Sequence, residues 1–128
     1  MKIENIRIKN WRSIKEQELQ AQDLMVIIGQ NNHGKSNLLS SILFFFGEIK
    51  HQDLDFYHGS TELFVELQFG RLDDTDKITF KKYLTSEEKI VVRKSAFLGG
   101  SFEYRDTLKT QLKNGCKKRM LLLTRKES

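Results

Sequence analysis

A glycine-containing octapeptide between an apolar run and a helical pattern constrains this chain more than any other feature. Residues 29–36, Gly-Gln-Asn-Asn-His-Gly-Lys-Ser, match the pattern G-x-x-x-x-G-K-[ST]. Residues 24–28 before it are all apolar, which is typical of a strand buried on both faces of a parallel sheet. Residues 36–46 after it have helical periodicity, and Gly47 stands where a helix commonly ends. Strand, glycine loop and helix in this order predict a phosphate-binding loop.

The residues of this loop have separate chemical roles in the prediction. Gly29 lets the chain leave the strand in a conformation that a Cβ atom disfavours, and Gly34 lets the backbone approach phosphate oxygens. The amides at the helix start form an anion site, because the helix dipole is positive there. We expect Lys35 to contact the β- and γ-phosphates and Ser36 to ligate Mg²⁺. The predicted nucleotide-binding set is Gly29, Gln30, Asn31, Asn32, His33, Gly34, Lys35, Ser36 and Asn37.

The length and composition favour a cytosolic protein of at most one domain. The chain has 128 residues, and no stretch is apolar for long enough to span a membrane. Its N-terminus is charged and alternating, unlike a signal peptide. Its single cysteine, Cys116, excludes an internal disulfide. We therefore expect a cytoplasmic localisation and no membrane partner.

The net charge of +5 comes from the last residues alone. Residues 106–128 hold seven of the 22 basic residues and two of the 17 acidic residues, which leaves 15 of each in residues 1–105. One interpretation is a solvated basic tail that contacts nucleic acid or a membrane surface. The other is a shifted reading frame, because codons that fit the tail can encode an acidic continuation one base upstream. The predicted boundaries are therefore a body at 1–105 that contains the phosphate-binding loop, and a basic tail at 106–128 that is frameshifted or disordered.

Alternation of apolar and polar residues predicts several strands, and the turns between them are marked by polar residues or glycine. Residues 14–20 are mostly polar and are expected at a sheet edge, whereas residues 62–69 are expected to have one wet face. Residues 10–13 are predicted to form a turn, and Gly99-Gly100 a hairpin. The predicted strands are 3–9, 14–20, 62–69, 89–97 and 101–105, besides the buried run at 24–28.

Two helices are predicted. Residues 36–46 are apolar almost all round, which is typical of a helix packed between two layers. A second helix is expected to begin within residues 73–76, where acids and possible N-caps cluster. Its apolar side is predicted to carry Ile78, Phe80, Tyr83 and Leu84.

Residues 51–58 contain two histidines and two aspartates, which raises the possibility of a metal site. Ca²⁺ loops need more oxygen ligands and an ordering glycine. Structural zinc sites need cysteines or more closely spaced histidines. We therefore favour a solvated loop.

The whole body resembles the SMC-like, ABC-type ATPases. The resemblance lies in the opening strand that ends Ile-Lys-Asn-Trp-Arg-Ser-Ile, and in Gly-Gln-Asn-Asn-His-Gly-Lys-Ser-Asn-Leu-Leu about twenty residues later. The Asn-Asn-x-Gly-Lys-Ser-Asn-Leu-Leu form is most similar to the OLD family (overcoming lysogenization defect). Members of that family are ATP-dependent endonucleases with an N-terminal ABC-type ATPase and a C-terminal Toprim nuclease domain, and several act in bacterial defence against phage.

This resemblance implies an α/β P-loop NTPase fold, namely an ABC-type half-domain with a mixed sheet and early antiparallel strands. It implies ATP and Mg²⁺ as cofactors, a homodimer in full-length relatives, and DNA as a partner of the full-length assembly. It also implies that Arg12 approaches the nucleotide. The alternative is that Arg12 is a surface arginine. His33 occupies a position that is usually small in this superfamily, and we interpret it as a loop variant and not as a catalyst.

The sequence also departs from the family pattern. It has no apolar strand ending in Asp-Glu, no signature motif and no Toprim acidic cluster. We therefore expect an N-terminal fragment that binds ATP without efficient hydrolysis. Two alternatives stay open: a small complete P-loop phosphotransferase, with Asp73 as its nearest metal-holding acid, and a nucleic-acid-binding module that uses the tail.

Overall fold

The computed structural model describes residues 1–22 and 34–106. The predicted strand at 24–28, loop residues 29–33 and residues 107–128 lie outside the described residues. Two 3₁₀ turns, Asp53–Asp55 and Lys81–Tyr83, accompany the regular elements. The regular elements are β1 (Lys2–Trp11), β2 (Ile14–Gln20), α1 (Gly34–Phe45), β3 (Glu62–Gly70), α2 (Asp74–Thr79), β4 (Ile90–Phe97) and β5 (Phe102–Asp106).

The fold is α/β, with helix α1 packed on an antiparallel sheet. Within the described residues the strand order is β2-β1-β3-β4-β5, and each neighbouring pair is antiparallel. β2 lies at an edge of this sheet, as its polar sequence predicted. The hairpin at Gly99-Gly100 is also confirmed, with positive φ values of 103° and 110° that glycine adopts readily.

The core lies between α1 and the inner face of the sheet. The register pairs Ile6 with Leu67 and Ile8 with Val65, so that these four apolar side chains share one face. They are buried together with an apolar side of α1. The residues of α1 in this core are Leu38, Phe44 and Phe45.

Two predictions about burial on α1 and β3 were wrong. α1 was expected to be covered all round, but Leu39 and Leu43 are 41% and 36% exposed, because the described sheet covers one side of the helix. β3 was expected to have a wet outer face, but Phe64 and Glu66 are buried there. β3 lies between β1 and β4, whose long side chains cover its outer face.

Those covering side chains are two arginines. Arg7 donates to one oxygen of Glu66 at 3.3 Å, and Arg93 donates to the other at 3.3 Å. The guanidinium carbon of Arg93 also lies 3.8 Å from the centroid of the Phe64 ring. Strict alternation therefore predicted the direction of each β3 side chain but not its exposure.

The prediction for α2 was correct at its start and wrong at its end. Asp73 is the N-cap, and its carboxylate accepts from the Asp76 amide at 2.7 Å. The helix ends at Thr79, so Ile78 is 77% exposed. Phe80 is buried beyond the helix end, which moves this part of the core into the following 3₁₀ turn. In the described part of the chain, no helix is long and apolar enough to cross a membrane.

Candidate functional site

Helix α1 begins inside the glycine-rich motif. Its first residue is Gly34, so the Gly-Lys-Ser end of the motif forms the first turn of the helix, two residues earlier than the predicted start at Ser36. The first amides of a helix have no intrahelical acceptor, and the positive end of the dipole lies there. This end of α1 can therefore accept an anion. The roles assigned to Lys35 and Ser36 stay predictions, and Gly29, Gln30, Asn31, Asn32 and His33 lie outside the described residues.

The turn between β1 and β2 contacts α1 next to this end. The Asn37 side-chain amide donates to the Ser13 hydroxyl at 2.6 Å, and Asn37 directly follows the motif. One helical turn later, the Trp11 indole donates to the Ser40 hydroxyl at 3.0 Å. Trp11 was predicted in the turn, but it belongs to β1 and is fully buried, because its pairing with Ile14 extends the strand.

Arg12 lies in this turn and is held by Asp55. Its Nε atom donates to Asp55 Oδ1 at 2.9 Å, and its backbone amide donates to the Asp55 carbonyl at 2.6 Å. The guanidinium carbon lies 5.3 Å from the centroid of the Trp11 ring, and the side chain is 36% exposed. The backbone of Arg12 has φ of +51°, which is unusual for a residue other than glycine. The structure thus places Arg12 partly exposed in the turn whose Ser13 contacts α1.

Asp55 belongs to the segment 51–58 that was predicted to be a solvated loop, and that prediction holds for its exposed residues but was wrong for Asp55 and Phe56. Asp55 and Phe56 are each 8% exposed. Phe56 forms a β-bridge with Trp11, and the Tyr57 amide donates to the Asn10 carbonyl at 2.9 Å, so the segment is packed against the β1–β2 turn. Among residues 1–22 and 34–106, no group of three His, Cys, Asp or Glu residues could hold a metal ion.

The opposite end of α1 is anchored to β4 and β5. Gly47 and Glu48 close the helix by hydrogen bonds to Phe44 and Leu43, the Schellman pattern, with Gly47 at φ of +76° as its position predicted. Lys94 Nζ donates to the Phe44 carbonyl at 2.7 Å, and the Tyr104 hydroxyl donates to the carbonyl of Phe45.

Sequence reasoning missed this anchor, although a signal was present. The alternation that places Val92 on the inner face of β4 also places Lys94 there, where it is 4% exposed. A lysine at the carboxyl end of a helix is favourable, because the dipole is negative there. Burial raises the pKa of the Tyr104 phenol above its ordinary range, so the hydroxyl keeps the proton that it donates.

Asp73, the candidate metal-holding acid of a small phosphotransferase, has a structural role in the described residues. Its carboxylate accepts from the Asp76 amide, and the Asp76 carboxylate accepts from the Asp73 amide at 3.3 Å. This reciprocal pair is a capping box at the start of α2. The structure therefore gives no support to a catalytic role for Asp73.

Comparison with known proteins identifies a family and a fold. The model of a family described as "AAA ATPase domain" (AAA_15) matches residues 1–127. A Helicobacter pylori protein named ATP/GTP phosphatase is 40% identical over 50 residues, which are 38% of this chain and 14% of that protein. The chain thus spans a small part of this curated relative.

Solved structures of ATPase heads share the fold at low sequence identity. An SMC ATPase, described in connection with ATP-driven dimerisation and DNA-stimulated activation, has a TM-score of 0.64 at 20% identity, over 93% of this chain and 75% of that one. The SMC head domain of Thermotoga maritima gives 0.57 at 16% identity, over 94% and 41%. The recombination mediator RecF with ATP gives 0.55 at 15% identity, over 88% and 28%. These neighbours are P-loop ABC-type ATPase heads, so the predicted fold class is confirmed.

Proposed function

The chain belongs to the AAA ATPase domain family, and on this premise we propose that it binds ATP with Mg²⁺ through residues 29–37. The observation that carries the proposal is the start of α1 at Gly34, which places the Gly-Lys-Ser part of the motif in the first turn of a helix. Triphosphate needs N–H donors and positive charge. This turn would supply both, because the first amides of a helix have no acceptor within the helix and residue 35 is a lysine.

The side chains at this position fit a nucleotide with Mg²⁺. Lys35 would neutralise phosphate charge, and the Ser36 hydroxyl would be a ligand of Mg²⁺. Arg12 would add a second cation from the β1–β2 turn, because the Asn37–Ser13 hydrogen bond holds this turn beside α1. When bound, Mg²⁺ supplies charge neutralisation and orientation of the phosphates.

We further propose that residues 1–105 are the N-terminal part of the ATPase domain of an OLD-like protein, followed by a separate segment at 106–128. The Asn-Asn-x-Gly-Lys-Ser-Asn-Leu-Leu form supports this finer assignment, and so does the small share of its curated relative that the chain spans. No acid that would activate water is assigned in residues 1–105. The proposed activity of this chain is therefore nucleotide binding, whereas hydrolysis, DNA contact and homodimerisation are proposed for the longer assembly.

The proposal is tested by titrating the 128-residue chain with a fluorescent ATP analogue in the presence of Mg²⁺. We expect Lys35→Ala to weaken binding at least about tenfold, which corresponds to about 1.4 kcal/mol. Lys81→Ala is the matched control, since Lys81 is exposed in the 3₁₀ turn after α2 and should leave the affinity unchanged.

Two results would contradict the proposal. If the wild-type chain does not bind the analogue, or if Lys35→Ala binds as tightly as the wild type, the motif is not a nucleotide site. If the wild type hydrolyses ATP at a rate that Lys35→Ala abolishes, the chain is a complete enzyme and the assignment as a binding part of a longer ATPase is wrong.

A further inference from the structure

We propose that Asp55 is a positioning residue for Arg12, which it holds by Nε so that the terminal guanidinium nitrogens are available to a nucleotide phosphate. The inference rests on the proposed function and deepens it. A guanidinium group has five N–H donors, and the bond from Nε to Asp55 uses one of them. The four donors on the terminal nitrogens are not used by this pair. Arginine binds phosphate through these donors.

The carboxylate of Asp55 is itself fixed at both oxygens. Oδ1 accepts from Arg12 Nε, and Oδ2 accepts from the backbone amide of Gln52 at 2.8 Å. Asp55 is 8% exposed, and a buried carboxylate of this kind requires partners for its charge and its lone pairs. Because both oxygens are engaged, rotation of the carboxylate would break a hydrogen bond, and this restricts the Arg12 side chain that it holds.

The backbone around Arg12 is also set by the Asp55 segment. The Arg12 amide donates to the Asp55 carbonyl, and the Tyr57 amide donates to the Asn10 carbonyl. Arg12 is in the left-handed region, which is unfavourable for a residue with a side chain. Glycine would adopt this conformation readily, so the packing of the Asp55 segment maintains a conformation that an arginine would otherwise avoid.

The surrounding charges indicate which ligand the Arg12 guanidinium group would bind. Arg12 directly precedes Ser13, whose hydroxyl accepts from Asn37 near the positive end of the α1 dipole, so its charge belongs to the turn that contacts this end of the helix. Asp55 offsets one of these positive charges. An anion of high charge, such as a triphosphate, would balance the others, whereas without one their mutual repulsion is unfavourable.

The test compares Mg²⁺-dependent binding of the fluorescent ATP analogue by Asp55→Asn, by Arg12→Ala and by the double variant. We expect Arg12→Ala to weaken binding about tenfold and Asp55→Asn about three- to tenfold, since an amide has one acceptor oxygen where the carboxylate uses two. The double variant should bind no more weakly than Arg12→Ala. Asp53→Asn is the matched control, because Asp53 is exposed in the same 3₁₀ turn and should leave affinity unchanged.

A purely structural role for Asp55 would give a different pattern. In that case Asp55→Asn would weaken binding by the same factor with or without Arg12, which would overturn the inference. Thermal unfolding without nucleotide measures any loss of fold. If Asp55→Asn does not fold, Arg12→Lys serves instead, since it keeps the charge and loses the fork. Binding by Arg12→Lys that equals the wild type would also overturn the inference.

The two proposals fail in distinguishable ways. If Lys35→Ala loses binding while Asp55→Asn and Arg12→Ala bind as the wild type does, the nucleotide site stands and the positioning role is refuted. If the wild type does not bind, or Lys35→Ala has no effect, the nucleotide site is refuted and the positioning role with it.

Discussion

Replacement of Phe44 by leucine should weaken the packing of α1 on the sheet and lower the free energy of unfolding, while the core stays apolar. Phe44 is fully buried, and its ring has three partners. It stacks on Trp11 at a centroid distance of 5.0 Å and an interplanar angle of 28°. It meets the His51 ring at 5.8 Å and 85°. Lys94 Nζ lies 4.2 Å from its centroid. Leucine would keep the apolar character of the site and lose all three ring interactions.

The expected cost follows from these contacts. Each aromatic pair contributes about 0.5–1.5 kcal/mol beyond its buried area. A desolvated cation–π contact contributes about 2 kcal/mol, and Lys94 is 4% exposed. The smaller side chain adds a cavity term, partly offset by relaxation of the neighbours. We therefore expect Phe44→Leu to lower the free energy of unfolding by about 3–5 kcal/mol, against a total of about 5–15 kcal/mol for a domain.

Urea unfolding followed by tryptophan fluorescence measures this loss directly, because Trp11 is the single tryptophan and lies against Phe44. Circular dichroism checks that both probes report one transition. Phe46→Leu is the matched control, since Phe46 is half-buried and its ring meets the edge of Phe45 at 5.1 Å. This control should lose about 1 kcal/mol. Equal losses in the two variants would refute the reasoning that the ring contacts of Phe44 hold α1 on the sheet.

Three further variants test separate contacts. Tyr104→Phe removes the hydroxyl that donates to the carbonyl of Phe45 and should cost about 1–2 kcal/mol in urea unfolding at pH 8. Because burial raises the pKa of Tyr104 above its ordinary value of 10.0, the unfolded chain releases this proton first. Wild-type stability should therefore fall as the pH rises past about 10, and this contribution should be absent in the variant. Asp73→Ala removes the carboxylate that accepts from the Asp76 amide and should cost about 1 kcal/mol by thermal unfolding, and an unchanged Tm would contradict its role as N-cap. Gly47→Ala should cost about 1 kcal/mol, since φ is +76° and no atom lies within 4 Å of an added Cβ, so a larger loss would indicate a clash and not backbone strain.

Local patterns were sufficient to predict most elements of the fold. Alternation, the polar run at 14–20 and the Gly99-Gly100 turn together predicted five strands that the structure contains. Gly47 marked the end of α1 and the acidic residues 73–76 marked the start of α2, because such signals act through their own backbone neighbourhood. Patterns of this kind report direction and conformation. They do not report what covers a face, so the burial of Glu66 and the exposure of Ile78 were missed.

In the candidate site, too, the local pattern could be predicted from the sequence and the long-range contact could not. The motif at residues 29–36 is a contiguous pattern, and its position at the start of a helix could be predicted from the chain alone. The pair of Arg12 and Asp55 joins residues 43 positions apart, and no periodicity connects them. It arises because the segment after α1 returns to pack against the β1–β2 turn. A pair of this kind becomes visible only when the topology is known.

The two ends of α1 are fixed by different chemistry, and this has a consequence for ligand binding. Asn37 and Ser40 tie the N-terminal half to the β1–β2 turn, whereas Lys94 and Tyr104 tie the C-terminal end to β4 and β5. Movement of the helix start relative to the β1–β2 turn would break the exposed Asn37–Ser13 hydrogen bond and the buried Trp11–Ser40 hydrogen bond. The buried bond costs about 1–3 kcal/mol when one partner is left unsatisfied. A nucleotide bound as proposed would therefore meet a β1–β2 turn and a helix start that these hydrogen bonds already join. Its affinity would depend little on ordering of the turn and helix, and more on the charges that Lys35 and Arg12 supply.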